Sequence, residues 1–83
     1  MRLAKFVKFR VEKFGGVLFE TRSEKVYTLN PTACAIVGEF EAGGGVEAIA
    51  SRLKDRFTAG DGAMEREVAA FVGELRERGL VED

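Results

Sequence analysis

The stretch Val26-Tyr27-Thr28-Leu29-Asn30-Pro31-Thr32-Ala33-Cys34-Ala35-Ile36-Val37-Gly38-Glu39-Phe40 begins as a strand and continues as a helix. Tyr27 and Leu29 alternate with Val26 and Thr28, the two-residue period of an extended chain with one face buried. From Pro31 the period changes. Ala33, Ile36, Val37 and Phe40 fall at i, i+3, i+4 and i+7, one apolar face of a helix. Asn30 is a strong N-cap candidate, because its side-chain oxygen can accept from a free N–H of the first turn. Pro31 suits the first helical position, where no N–H is required. A strand running directly into a capped helix is therefore expected.

Upstream, Lys5 to Glu12 alternate, with Val7, Phe9 and Val11 on one face and Lys8, Arg10 and Glu12 on the other. Gly15-Gly16 marks a turn. Val17 to Glu20 reads as a short second strand, apolar on both faces. Thr21 to Glu24 is a polar connection, and Lys25 to Leu29 forms the third strand. Such short connections imply an antiparallel meander.

Downstream, Gly43-Gly44-Gly45 ends the first helix. A second helix is expected over residues 46–57, with Val46, Ile49, Ala50, Leu53 and Phe57 as its stripe. Residues 58–62 form a loop in which Asp61 is a candidate N-cap. A third helix from about Ala63 to Arg78 carries Val68, Phe71, Val72 and Leu75 on its stripe. Gly79 suits the left-handed position after it, and Leu80 can fold back onto the last turn. The expected fold is α+β, a three-stranded antiparallel sheet followed by three helices (βββααα), close to a winged helix. One domain spanning residues 1–83 is expected.

Composition narrows the function. The chain has 83 residues, 46% of them hydrophobic, so it has a small globular core. No apolar run approaches the roughly 18 residues of a membrane span, and Met1 to Lys5 open no signal peptide. A cytoplasmic protein with no membrane partner is expected. There is one cysteine and no histidine, which removes internal disulfides and every Ser-His or Cys-His pair. Cys34 reads as a small apolar residue in a helix. Glu39 and Glu41 at the end of the first helix, and Glu65 and Glu67 opening the third, read as solvated or capping charges. No metal-ligand spacing is present. Gly43-Gly44-Gly45 lacks the Gly-Lys-Ser/Thr of a phosphate loop. Neither catalysis by this chain alone nor a cofactor is expected.

What remains is surface. If the strands are in sequential order, the third is an edge whose free backbone groups form a template for another strand. An extended peptide can add there, bonded by its backbone and selected by side-chain pockets. The expected contacts are Lys25, Val26, Tyr27, Thr28 and Leu29 on the strand. On the third helix they are Glu65, Ala69, Val72 and Arg76, at i, i+4, i+7 and i+11. The plainer reading makes Val72 ordinary core and Lys25 an edge-protecting charge. The same edge permits a homodimer by strand pairing. Charge is uneven. Residues 1–30 hold seven Lys/Arg and three Glu, net +4, and residues 31–83 are net −5. A winged-helix DNA-binding or regulatory domain is the alternative. Met64 to Gly79, however, carries four Glu and three Arg, unlike a helix that faces phosphates, so no nucleic-acid partner is expected.

From Gly15 to Val37 the sequence resembles the PqqD family, the peptide-binding domain also called the RiPP recognition element. Leu29, Asn30, Thr32 and Ala33 match its strand end and helix start, and Leu53 and Phe57 match its middle helix. Phe71, Val72, Leu75, Gly79 and Leu80 match its Phe-Leu-x-x-Leu-x-x-x-Gly-Leu ending, with Val for the first Leu. The resemblance covers roughly residues 10–82. It departs at Ile36-Val37, where many relatives carry a bulkier aromatic, and at the loose triple glycine. The resemblance implies a non-catalytic peptide chaperone of natural-product biosynthesis. It would bind the leader of a ribosomally made precursor peptide by strand addition, against the third helix. It would present that peptide to a radical SAM or other peptide-modifying enzyme.

Overall fold

The computed structural model describes residues 1–57 and 62–82. In chain order the elements are β1 (Arg2–Leu3), β2 (Val7–Glu12), β3 (Gly15–Glu20), β4 (Lys25–Leu29), α1 (Pro31–Gly38), a 3-10 turn (Phe40–Ala42), α2 (Val46–Leu53), α3 (Ala63–Glu77) and β5 (Val81–Glu82). β2, β3 and β4 form an antiparallel sheet in sequential order, and β1 pairs with β5 in a separate two-stranded ribbon. The three-stranded α+β meander and its three helices are those the periodicities predict. Among the described residues, no helix is long and apolar enough to cross a membrane.

The core lies between one sheet face and the helices. Val7, Leu18 and Leu29 come from the sheet. Ile36, Val37 and Phe40 come from α1 and the turn after it, Ile49, Ala50 and Leu53 from α2, and Met64, Val68, Val72 and Leu75 from α3. Leu18, on the central strand, is completely buried. The opposite sheet face carries Lys8, Arg10, Val26 and Thr28, all exposed, so one side of the sheet is wet. On that wet side Val17 and Phe19 of the central strand are only half-buried, covered by cross-strand neighbours.

Several boundaries differ from the periodic reading. The strand expected from Lys5 is β2 and starts at Val7, and the one expected from Val17 is β3 and begins at Gly15. Val11 shares the inner face yet is 68% exposed. α1 ends at Gly38, and Phe40 is buried from a separate 3-10 turn. α2 stops at Leu53, and Phe57 packs on the core from beyond the helix. Asp61 and the rest of residues 58–61 lie outside the described residues. Glu39, read from sequence as a solvated helix-end charge, is tied to Arg52. The Arg52 Nε donates to Glu39 Oε1 at 2.6 Å, and its Nη2 donates to the carbonyls of Glu39 and Gly43 at 3.1 and 2.9 Å. That clamp holds the glycine-rich link between α1 and α2. The helix end at Gly79 is as expected. Gly79 has φ +71°, and Leu80 N–H donates to Leu75 O at 2.9 Å, which buries Leu80.

Candidate functional site: a strand edge and its groove

The junction of β4 and α1 is built as the sequence suggests. The Ala33 N–H donates to Asn30 Oδ1 at 2.8 Å, and Pro31 opens the helix. At the other end of β4, Glu20 holds the Thr21–Glu24 turn. Its two carboxylate oxygens accept the N–H groups of Arg22 and Ser23, each at 3.0 Å. Bonding from the Ser23 side chain, then from the Arg22 N–H, keeps the Glu20 carboxyl at about 2 instead of 4.5. A depressed carboxyl pKa contributes stability that is present above the unfolded value and lost as pH falls toward the folded one. The turn is therefore expected to loosen as pH falls from about 4.5 toward about 2. A Glu20→Gln variant should be less stable than the wild type near neutrality, and the difference should vanish at the acid end. Urea titrations at matched pH values measure this.

The register shows which backbone groups of β4 are open. The Thr21 N–H donates to Phe6 O, so odd-numbered residues of β3 turn their backbone groups toward β2. The even-numbered Glu20, Leu18 and Gly16 therefore turn toward β4, where they face Lys25, Tyr27 and Leu29. The N–H and C=O groups of Val26 and Thr28 are left on the outer edge. No strand among the described residues pairs with that edge.

Beside the edge runs a groove of about 450 Å³. Its strand wall is Val26 to Leu29, and Asn30 and Ala33 close one end. Its helical wall is Phe71, Glu74, Leu75 and Arg78, with Leu80 folding in from beyond α3. Arg78 leans across toward the strand. Its guanidinium lies 5.2 Å from the centre of the Tyr27 ring, and its Nη2 donates to Glu74 Oε1 at 3.1 Å.

The expected strand residues thus line one groove, apart from Lys25, which sits at the start of β4. The helical residues expected beside them do not. Val72 is core, 3% exposed, and Glu65, Ala69 and Arg76 are exposed but lie off the groove. The wall that faces β4 is roughly a third of a turn round the helix from that set. Phe71, on the apolar stripe as its spacing predicts, packs half-buried against the core and also lines the groove. The available signal was the i, i+3, i+7 row Phe71, Glu74 and Arg78, an aromatic followed by opposite charges. Among the described residues no group of histidine, cysteine or acidic side chains could hold a metal ion.

This strand-and-helix groove can be set beside known proteins. The family model for coenzyme PQQ synthesis protein D (PqqD) matches residues 15–81. The chain belongs to the PqqD family. No curated protein matches it. Two solved structures share its PqqD-type architecture. One is described as lasso peptide synthetase B1 complexed with the leader peptide. It is 29% identical, with TM-score 0.86 over 99% of this chain and 96% of that one. The other is TbiB1 in complex with the TbiA(beta) leader peptide, 20% identical, with TM-score 0.86 over 99% of this chain and 95% of that one. At that identity the second supports the PqqD fold alone.

Proposed function

We propose that this PqqD-family chain is a non-catalytic peptide chaperone. It binds the leader of a ribosomally made precursor peptide by strand addition to β4 and presents that peptide to a modifying enzyme. One observation carries the reading. The outward backbone groups of Val26 and Thr28 lie beside a groove walled by α3, in a chain 29% identical to a synthetase component solved with a leader peptide. Two outward residues supply two donors and two acceptors to an added strand, and the groove supplies side-chain selection. Family resemblance allows a radical SAM protein as the modifying enzyme. The likeness to lasso peptide synthetase B1 favours an enzyme of lasso peptide synthesis.

The test is an NMR titration of the isotope-labelled chain with a synthetic peptide. The peptide is the N-terminal half of a short precursor encoded beside its gene. Saturable shifts at Val26, Thr28, Phe71 and Arg78 are expected, with a Kd of about 1 μM or tighter. A well-dispersed spectrum that stays unchanged with every such precursor would refute the reading.

The wet sheet face bears on association. Lys8 and Arg10 are exposed there, and Arg10 pairs with the nearby Glu12 at 2.9 Å. Exposed charges away from the contact steer encounter more than they hold a complex. Reversing both to Glu should slow association of an acidic leader or partner enzyme at low salt. The difference should shrink as salt shortens the screening length. Stopped-flow rates that match the wild type at low salt would exclude a steering role.

A further inference from the structure

The groove is not uniform along β4. Lys25, Tyr27 and Leu29 share the inner face, because side chains alternate along a strand. At the start of that row Lys25 is exposed, and Arg78 stands over the Tyr27 ring. At the far end Leu29, Ala33 and Leu75 are apolar and buried or half-buried. One end of the groove therefore presents the Arg78 guanidinium beside Glu74, with Lys25 just outside it at the start of β4, and the other end is apolar.

We propose that Arg78, with Lys25 at the mouth of the groove, makes it selective for a strand carrying Asp or Glu two residues from a large apolar side chain. This rests on strand addition at β4. In an added strand of either direction, the residue beside Tyr27 projects to the same face as Tyr27, toward α3. Its neighbour two positions along projects beside Leu29 or beside Lys25. The residue at Tyr27 therefore arrives next to the Arg78 guanidinium, and the one at Leu29 meets the apolar end.

The Arg78–Glu74 pair does not block this. It is a single contact at 3.1 Å between side chains 47% and 55% exposed. Exposed pairs of this sort contribute little. Arginine has five N–H donors in a planar fork, so a carboxylate can be received alongside or in place of Glu74. An incoming strand also removes water from the groove, which strengthens the attraction. A cationic side chain at the same position would meet both Lys25 and Arg78.

The test uses a display library of random 12-residue peptides, selected against the immobilised full chain and its Arg78→Glu and Val26→Pro variants. Selection on the wild type should enrich Asp or Glu two residues from Leu, Ile, Phe or Tyr. A synthetic consensus peptide should bind Arg78→Glu about tenfold more weakly, a change that corresponds to roughly 1.4 kcal/mol. The same peptide with its acid replaced by Lys should recover binding to that variant. Glu74→Gln should bind the acidic consensus more tightly than the wild type. Arg78 and Glu74 lie at the surface, and matched circular dichroism of each variant checks that it is folded. Peptides that lose binding in Val26→Pro but show no acidic preference would overturn the selectivity and leave strand addition standing. Peptides indifferent to Val26→Pro would overturn both.

Discussion

Gly15→Ala should destabilise the chain by about 3 kcal/mol or more, a large share of what a small domain possesses. Gly15 has φ +145°, a conformation that side-chain-bearing residues rarely adopt. An added Cβ would also strike backbone. It would run into the carbonyl oxygen of Leu29 and come within 2.8 Å of Asn30 C and 3.0 Å of Pro31 N. Those atoms are the junction where β4 becomes α1, and a backbone junction cannot swing aside as a side-chain tip can. Relief would require β4 to move off β3 or α1 to lose its cap. Both consequences reach the candidate binding edge. Gly73→Ala is the control. It lies within α3 with nothing within 4 Å of its added Cβ, and it should stabilise by about 0.5–1 kcal/mol. Urea unfolding of both variants decides the matter. A Gly15→Ala chain as stable as wild type would mean that the β3–α1 approach is looser than it stands here.

Val26→Pro should leave the fold intact and weaken leader binding by about 10- to 100-fold, or roughly 1.4–3 kcal/mol. The Val26 N–H faces the open edge, so proline there removes no bond within the sheet. It removes one of the two N–H donors offered to an added strand and leaves a peptide carbonyl without its partner. Tyr27→Pro is the informative contrast. The backbone groups of Tyr27 bond to Leu18 inside the sheet, so that variant should lose stability before it loses binding. Calorimetric titration with a leader peptide, alongside thermal unfolding, separates the two effects. Wild-type affinity in a folded Val26→Pro chain would contradict strand addition at this edge.

Much of this was legible in the sequence, for local reasons. The period change at Asn30-Pro31, the cap and the helix end at Gly79-Leu80 depend on neighbours a few residues apart. The antiparallel order followed from connections too short for crossovers. The strand half of the groove was equally readable, because a sequential meander leaves its last strand as an edge.

The helical half was not. Periodicity identifies the buried stripe of α3, and Val68, Val72 and Leu75 are indeed core. It does not say which flank of that stripe turns toward β4, because that depends on how the whole helix is rotated as it packs. Packing turned Phe71, Glu74 and Arg78 to the strand, and Glu65, Ala69 and Arg76 elsewhere. The β1–β5 ribbon was hidden for a related reason. Strands of two residues carry no period, and Arg2 meets Glu82 only because the fold brings the two ends of the chain together. The sequence by itself determined the three strands of the meander, the three helices, their order and the exposed strand edge, all set by local stereochemistry and the burial of apolar side chains. Only the tertiary structure decided the groove's second wall and the placing of Arg78 over Tyr27, because contacts between distant elements depend on how those elements pack.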